Sequence, residues 1–505
     1  MIETPYIEVA VTLPVLGTFT YGVPEHLKPG CRPGMRVLVP FGRRRVTGYI
    51  LSGRETAGDY KVRQVLEILD DHPLFSESVI PFLKWISDYY IHPLGDVIRT
   101  ALPSGLDRHD VASVFTTPEG REKLLDQALS TAEAGIMNRV VQKEGAALKQ
   151  LEKSVSGLKV NNLIRQMEKK GLVRVSAVLK KDGAGIKTEK YIRPGTGEPQ
   201  RIVMSKKRRT ILDIVSEKKE ISLTGLRALV PTAPTLIKPL EKAGYLNIES
   251  RQVFRDPLGE PVEPDQPPEL TGEQLEAVKT VEAEQDRFAP FLLNGVTGSG
   301  KTEVYMRLVQ DVIERGKTAL VLVPEISLIS QTERRFRARF GDRIAVLHSA
   351  LSNGERVDQW RRMALKRAAV VIGPRSAVFS PFDDIGIIIV DEEHDNSYKQ
   401  ETGLRYNARD LAVVRAKLGR CPVVLGSATP SVQSYQNTAN GRFRLLELKK
   451  RVNRHPLPEI SLVDLKEYKD IWGVDRIITP VMQKAIQRSL DHGEQALVFL
   501  NRRGY

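Results

Sequence analysis

The residues best suited to chemistry lie in two short runs. Gly295, Val296, Thr297, Gly298, Ser299, Gly300, Lys301 and Thr302 fit the spacing G-x-x-x-x-G-K-[ST], between the apolar run FLLNG and the amphipathic run EVYMRLVQDVIERG. Glycines let a backbone wrap closely round phosphates, so that its N–H groups and the following helix N-terminus face the negative charge. Lys301 is expected to reach the terminal phosphates of ATP and Thr302 to ligate its Mg2+. A phosphate loop alone suits a kinase, a GTPase or a motor, so the second run must decide. IGIIIVDEEH delivers Asp391 and Glu392 at the carboxyl end of an apolar strand, the edge where ligands sit in open α/β sheets. Asp391 is the expected partner of Mg2+, directly or through water, and Glu392 is placed to orient and deprotonate an attacking water. His394 is expected to link the phosphate site to loops that contact the polymer on which a motor would act.

These runs need elements to hold them. After about residue 271 the chain alternates apolar β runs (FLLNG, ALVLVP, AVVIG, IGIIIV, PVVLGS) with amphipathic helices, which reads as parallel strands covered on both faces. A RecA-like α/β domain is therefore expected over 271–450. Ahead of it, FRDPLGEPVEPDQPPEL over 254–270 packs five prolines among acidic residues and reads as an extended, semi-rigid linker, with its boundaries at 257–270. Residues 1–105 begin with short β runs separated by Pro and Gly turns and form a small β-rich module. Residues 106–256 turn helical and basic and contain a repeat. LIRQMEKKGLVRV at 163–175 matches LIKPLEKAGYLNI at 236–248, each a helix ending in Gly and running into a strand, as in winged-helix units over 106–200 and 201–256. The expected fold is a multidomain α/β chain, with a second lobe opening at 451–505.

Bulk properties agree. The 505 residues carry a formal charge of +14, with basic clusters at Arg43 to Arg45, Lys206 to Arg209 and Arg334 to Arg339, a balance that suits a polyanion without choosing one. Cys31 and Cys421 stand far apart, in neither a disulfide framework nor a zinc-ligand spacing, so a reduced, cytoplasmic setting is expected. The start, MIETPYIEVAVTLPVL, lacks the basic opening and long apolar core of a signal peptide, and no apolar run approaches the 18 residues of a membrane span, so no membrane partner is expected.

In order and spacing the motifs resemble superfamily 2 helicases: LTGEQ at 270–274, the phosphate loop, LVLVPEISL at 320–328, VVIGPRSAVFSP at 370–381, DEEH at 391–394, GSATPS at 426–431 and LVFLNRRGY at 497–505. The resemblance implies that Gln274 reads the adenine edge, that Pro324, Glu325 and Arg375 lie near a DNA backbone, and that Ser427 and Thr429 couple hydrolysis to movement. Within that superfamily DEEHDNSYKQETGLRYNARDLAVVRA looks like the PriA family of replication-restart helicases. There an aromatic-rich loop, carried here by Tyr398, Lys399, Tyr406 and Arg409, is expected to sense single-stranded DNA. Stacking of bases on such rings is worth about 1 to 3 kcal/mol each and tolerates any sequence.

The N-terminal run LPVLGTFTYGVPEHLKPGCRPGMRVLVPFG is similar to that family's domain for a DNA 3′ end, with Phe19, Gly42 and Lys61 as the implied pocket. This chain departs from the family in carrying Thr20 where an Asp is common, so weaker selectivity for a free 3′ end is expected. The resemblance further implies a 3′ to 5′ DNA helicase of the primosome that recognises stalled forks. Its implied partners are forked and single-stranded DNA, primosome components and single-stranded DNA-binding protein, and it is expected to be a monomer. The family's zinc ligands and its arginine-rich QxxGRxGR-type segment are not among these residues, so the chain is expected to be partial. Loss of such a transition-state arginine costs about 10³ to 10⁵ in phosphoryl-transfer rate, so slow turnover is expected.

Overall fold

Alternate residues of each apolar run face opposite ways, and the structure, a computed structural model, turns that period of two into the centre of the molecule. It describes residues 2–499 except 3, 58–61, 104–107, 127–128, 143–145, 148–150, 152–159, 182–186, 197–198, 256, 258, 260–261, 325, 453–458 and 469–477. Met1–Val452 is one unit and Asn453–Tyr505 another.

In the first unit seven parallel strands lie in the order Ile344–Val346, Val370–Gly373, Thr318–Leu322, Ile385–Val390, Pro422–Ser427, Ala289–Gly295 and Arg444–Leu448. Phe291, Leu293, Val321, Ile387 and Ile389 bury into one face with the helices Gly272–Glu282, Lys301–Glu314 and Ile326–Phe340. Leu292, Leu320, Leu322, Ile388, Val390 and Leu425 bury into the other, where the helix Ala408–Gly419 contributes Leu411, Ala412 and Ala416. Five of these strands are the ones expected. The outer two, Ile344–Val346 and Arg444–Leu448, were not anticipated.

That second face continues into the N-terminal region. The helices Ile80–Tyr89 and Leu94–Ala101 send Phe82, Leu83, Ile86, Val97 and Ile98 into the same core. Phe82 lies against Phe379 with ring centroids 6.4 Å apart, the buried Arg415 guanidinium sits over the Phe82 ring, and Trp360 Nε1 donates to the Leu74 carbonyl at 2.7 Å. Segments far apart in sequence are thus welded by a continuous apolar cluster.

The β-rich module itself is a curled antiparallel set: Phe19–Gly22, Tyr6–Val11, Arg44–Arg54 and Arg36–Phe41 pair in that order over a core of Ile7, Val9, Val37, Val39 and Ile50. Its sheet does not stop at residue 105. Arg108–Thr116 pairs with Arg44–Arg54 at Val46 and His109, then along nine residues with Val173–Lys181. The repeat has the same local form twice, a helix (Val160–Lys169; Ala233–Lys242), a glycine at positive φ (Gly171; Gly244) and a strand (Val173–Lys181; Leu246–Gln252). The copies join different sheets, the second pairing with Thr188–Pro194 and closing over Ile211, Leu226, Ile237 and Leu240.

The proline-rich segment is extended but strapped down rather than free. Arg255 donates from N and Nη1 to Asp358 at 2.9 and 2.8 Å, Asp265 pairs with Arg339 at 2.8 Å, and Arg307 Nη2 donates to the Pro268 carbonyl at 2.7 Å. In the second unit the helix Pro480–Asp491 starts at a Thr479 cap. Among the described residues after Val452 this helix is joined by a short 3-10 turn, Leu465–Glu467, and Leu462, Leu497 and Phe499 lie exposed.

Candidate nucleotide-binding active site

The strand Ala289–Gly295 runs into a loop where Gly298 and Gly300 both take φ +80, a conformation that L side chains rarely adopt. Gly300 is required twice over, since a Cβ there would lie 2.3 Å from Gln274 Nε2. The helix Lys301–Glu314 starts at once and buries Val304, Tyr305, Leu308, Val309 and Val312 along one face, which aims its first turn at the loop. Lys301 Nζ rests on the Gly295 carbonyl at 2.9 Å, and 3.9 Å from Glu392 Oε1. Thr302 follows as the second helical residue. Ser299 Oγ is buried with no hydrogen-bond partner. An orphaned hydroxyl, a glycine cradle and a lysine at the mouth of the loop fit a phosphate group.

Gln274, expected to read adenine, is 2% exposed. Its Oε1 accepts from Thr271 N at 2.9 Å and its Nε2 donates to the Ser299 carbonyl at 2.8 Å. Both ends of the amide are committed to the chain, because a capping box turns them inward; here Gln274 braces the phosphate loop.

At the end of the strand Ile385–Val390, Asp391 N donates to the Leu322 carbonyl and Asp391 Oδ1 accepts from Tyr305 Oη at 3.0 Å. Burial, with Glu392 alongside, pushes the Asp391 carboxyl up to about 6, and burial with Asp391 nearby raises the Tyr305 phenol well above its usual range. Glu392 sits at φ +44, rare for a residue with a side chain, and this backbone turn brings its carboxylate between Lys301 and His394, whose Nδ1 is 3.7 Å away. His394 Nδ1 in turn hydrogen-bonds Ser427 Oγ at 2.8 Å, and Ser427 Oγ accepts from Thr429 N at 3.0 Å. Lys301, Asp391, Glu392, His394, Ser427 and Thr429 therefore form one connected cluster.

Sequence reasoning missed Glu393. Its fully buried carboxylate accepts from Ser431 N at 2.7 Å, Ser431 Oγ at 3.1 Å, Ser434 Oγ at 2.8 Å and Arg409 Nη1 at 3.2 Å. The available signal was the pair Ser431 and Ser434, three apart at the start of a helix.

The residues assigned to DNA fare differently. Tyr398 is 1% exposed and Tyr406 3%, so neither presents a face to a base. Tyr398 Oη donates to the Asp391 carbonyl at 2.6 Å and Tyr406 packs edge-on against Phe379. The stacking role expected for them is corrected: an aromatic ring carries a large apolar area that favours burial, and the Tyr398 hydroxyl finds a partner as well. Arg409 is likewise engaged, by Glu393, Ser431 and Gln433.

Arg375 donates to the carbonyls of Ser397 and Lys399 and lines an open cleft of about 680 Å³ with Arg99, His348, Arg356 and Gln400. Pro324 is on the same wall, its carbonyl accepting from Ser397 Oγ, while Glu325 lies outside the described residues. In the N-terminal module Phe19 stands edge-on to Phe41 at 5.1 Å, and Gly42, at φ +60 in the adjoining turn, accepts from Arg63 through its carbonyl. Lys61 lies outside the described residues. Across the strand from Thr20 is Glu8, which Thr18 and Ser52 hydrogen-bond.

Comparison with known proteins follows this division. Residues 8–103 match the 3′DNA-binding domain family of PriA and residues 271–438 the DEAD/DEAH box helicase family. The replication restart protein PriA of Bacillus subtilis is 36% identical over 96% of this chain and 60% of its own length. That of Synechocystis is 34% identical over 99% and 61%, and that of Haemophilus influenzae 32% over 99% and 59%. The chain thus spans about 60% of the length of these relatives. With matches to a PriA-type 3′DNA-binding domain and to a helicase domain, the chain is similar along nearly its whole length to the replication restart protein PriA family.

Proposed function

We propose that the chain carries the ATP site and DNA-facing surfaces of a 3′ to 5′ DNA helicase that recognises stalled or abandoned replication forks and restarts replication. The observation that carries this reading is the unbroken path from Lys301 through Glu392 and His394 to Ser427. Such a path lets the state of the phosphate site reach the GSATPS segment.

In this reading the loop 295–302 holds the phosphates, and Thr302 and Asp391 hold Mg2+. Mg2+–ATP supplies the transferable phosphoryl group with its charge partly offset. Glu392 aligns and deprotonates the water, and Lys301 neutralises charge on the terminal phosphates. Arg375, with Arg99 and Arg356 across the cleft, offers donors to a DNA backbone, and Phe19 and Gly42 belong to the 3′-end pocket. Forked and single-stranded DNA, primosome components and single-stranded DNA-binding protein are the proposed partners, and the cytoplasm is the proposed setting.

The test compares ATP hydrolysis with forked DNA, blunt duplex and no DNA. Dependence on a fork with an exposed leading-strand 3′ end supports the reading, and equal activity on blunt duplex contradicts it. Lys301→Ala is expected to abolish turnover and to weaken ATP binding at least tenfold; unchanged values would refute the phosphate-loop assignment.

A further inference from the structure

Tyr305 stands one helical turn beyond Lys301, on the face that the phosphate-loop helix turns to the sheet, and is 1% exposed. Its hydroxyl is 3.0 Å from Asp391 Oδ1. It reaches that point through a gap in the next strand, because a Cβ on Gly426 would lie 1.6 Å from the Tyr305 hydroxyl oxygen and 2.8 Å from Cζ. Gly426 does not have positive φ, so its backbone could accommodate a side chain; the missing Cβ serves space alone. On the main-chain side, the buried Tyr398 hydroxyl donates to the Asp391 carbonyl at 2.6 Å.

We propose that Tyr305 is a positioning residue for Asp391: its hydroxyl, admitted by Gly426, fixes the carboxylate so that the second oxygen, Oδ2, is presented to the divalent cation that accompanies the nucleotide. The inference rests on the nucleotide-site reading above and deepens it. A phenol O–H is one donor and satisfies one carboxylate oxygen. A carboxylate on a short side chain, held at one oxygen by a rigid ring and at its own carbonyl by a second ring, loses the freedom to turn away, and so part of the ordering that a cation would otherwise impose is already made. The three motifs meet at this one hydroxyl: the phosphate-loop helix supplies it, the DEEH strand receives it, and the GSATPS strand makes room.

The test is calorimetric titration of ATP into the whole chain, with Mg2+ and with EDTA, for wild type, Tyr305→Phe and Gly426→Ala, with thermal melts alongside. Tyr305→Phe keeps the ring, so the metal-free affinity is expected to stay within about twofold, while the gain in affinity from Mg2+ falls about tenfold, the worth of one hydrogen bond to a charged group. Gly426→Ala, which displaces the hydroxyl, is expected to lose a similar part of that gain. A wild type that binds ATP while Tyr305→Phe retains the full Mg2+ gain overturns this inference and leaves the nucleotide site standing. Equal losses with and without Mg2+ in Tyr305→Phe also overturn it, since they mean general damage to the site. A wild type that binds ATP in neither condition overturns the nucleotide-site reading and this inference with it.

Discussion

Glu392 holds a backbone conformation that costs of order 1 to 3 kcal/mol for a residue with a side chain, and its two neighbours make that tolerable. Asp391 N and Glu393 N are tied to the carbonyls of Leu322 and Gly426, and Asp395 N closes back on the Glu392 carbonyl at 2.9 Å. Glu393 then anchors the turn from inside with its four side-chain hydrogen bonds. Its ion pair with Arg409 is almost dry, the two side chains being 0% and 13% exposed. Removing one member of such a pair strands the other, at a cost of about 3 to 5 kcal/mol. Glu393→Ala is expected to lower stability by that amount in urea unfolding, and Glu393→Ala with Arg409→Ala by clearly less than the sum of the two single changes. Strict additivity in that cycle would show that the pair is not coupled.

At the scale of elements, charge ties two helices of the middle region together. The helix Thr131–Gln142 is tied to the end of the helix Val160–Lys169 through Glu133, whose carboxylate accepts from Lys170 Nζ at 2.8 Å and Ser130 Oγ at 2.7 Å. These bonds, Lys170 first, lower the Glu133 carboxyl to about 2. A carboxyl lowered by folding contributes stability above its unfolded value, near 4.5, and that contribution is lost as pH falls from there through about 2. Hydrogen-exchange protection of Thr131–Gln142 is therefore expected to decline over that window in the wild type, and Glu133→Gln to start lower and lose the dependence. The same scale explains what could be read from the residues alone. Ile385–Val390 or Pro422–Ser427 is legible because both faces are apolar. Ile344–Val346 is too short to form a pattern, and Arg444–Leu448 has only Leu446 and Leu448 buried, as an edge strand should. The phosphate loop was legible because glycine spacing is chemistry written locally. Tyr398, Tyr406 and Glu393 were not, because whether a polar-capped ring or an acid is buried depends on distant carbonyls and hydroxyls that no local spacing encodes.

For the whole first unit, the decisive fact is that the helicase core is not closed by its own residues. Phe379, Tyr406 and Leu411 share a cluster with Phe82, Leu83 and Ile86, and the Arg415 guanidinium is spent on the carbonyls of Val378, Ser380 and Phe382 directly beneath the Phe82 ring. Tyr90 Oη adds a bond from Asn407 N at 3.2 Å, in the segment that leads back to Asp391. An N-terminal module joined this way cannot swing on a flexible tether, so a change at its helices is felt as strain in the sheet face that carries Val390 and Leu425. Phe82→Ala empties a site that is 3% exposed and borders both regions. Such a deletion costs about 3 to 5 kcal/mol, and the cost should fall on the two regions together. In scanning calorimetry the wild type is expected to melt the N-terminal module and the helicase domain in one transition, and Phe82→Ala to lower that transition without splitting it. Two separate transitions in the wild type, with Phe82→Ala moving only the one that belongs to the N-terminal module, would mean that the shared cluster does not couple them.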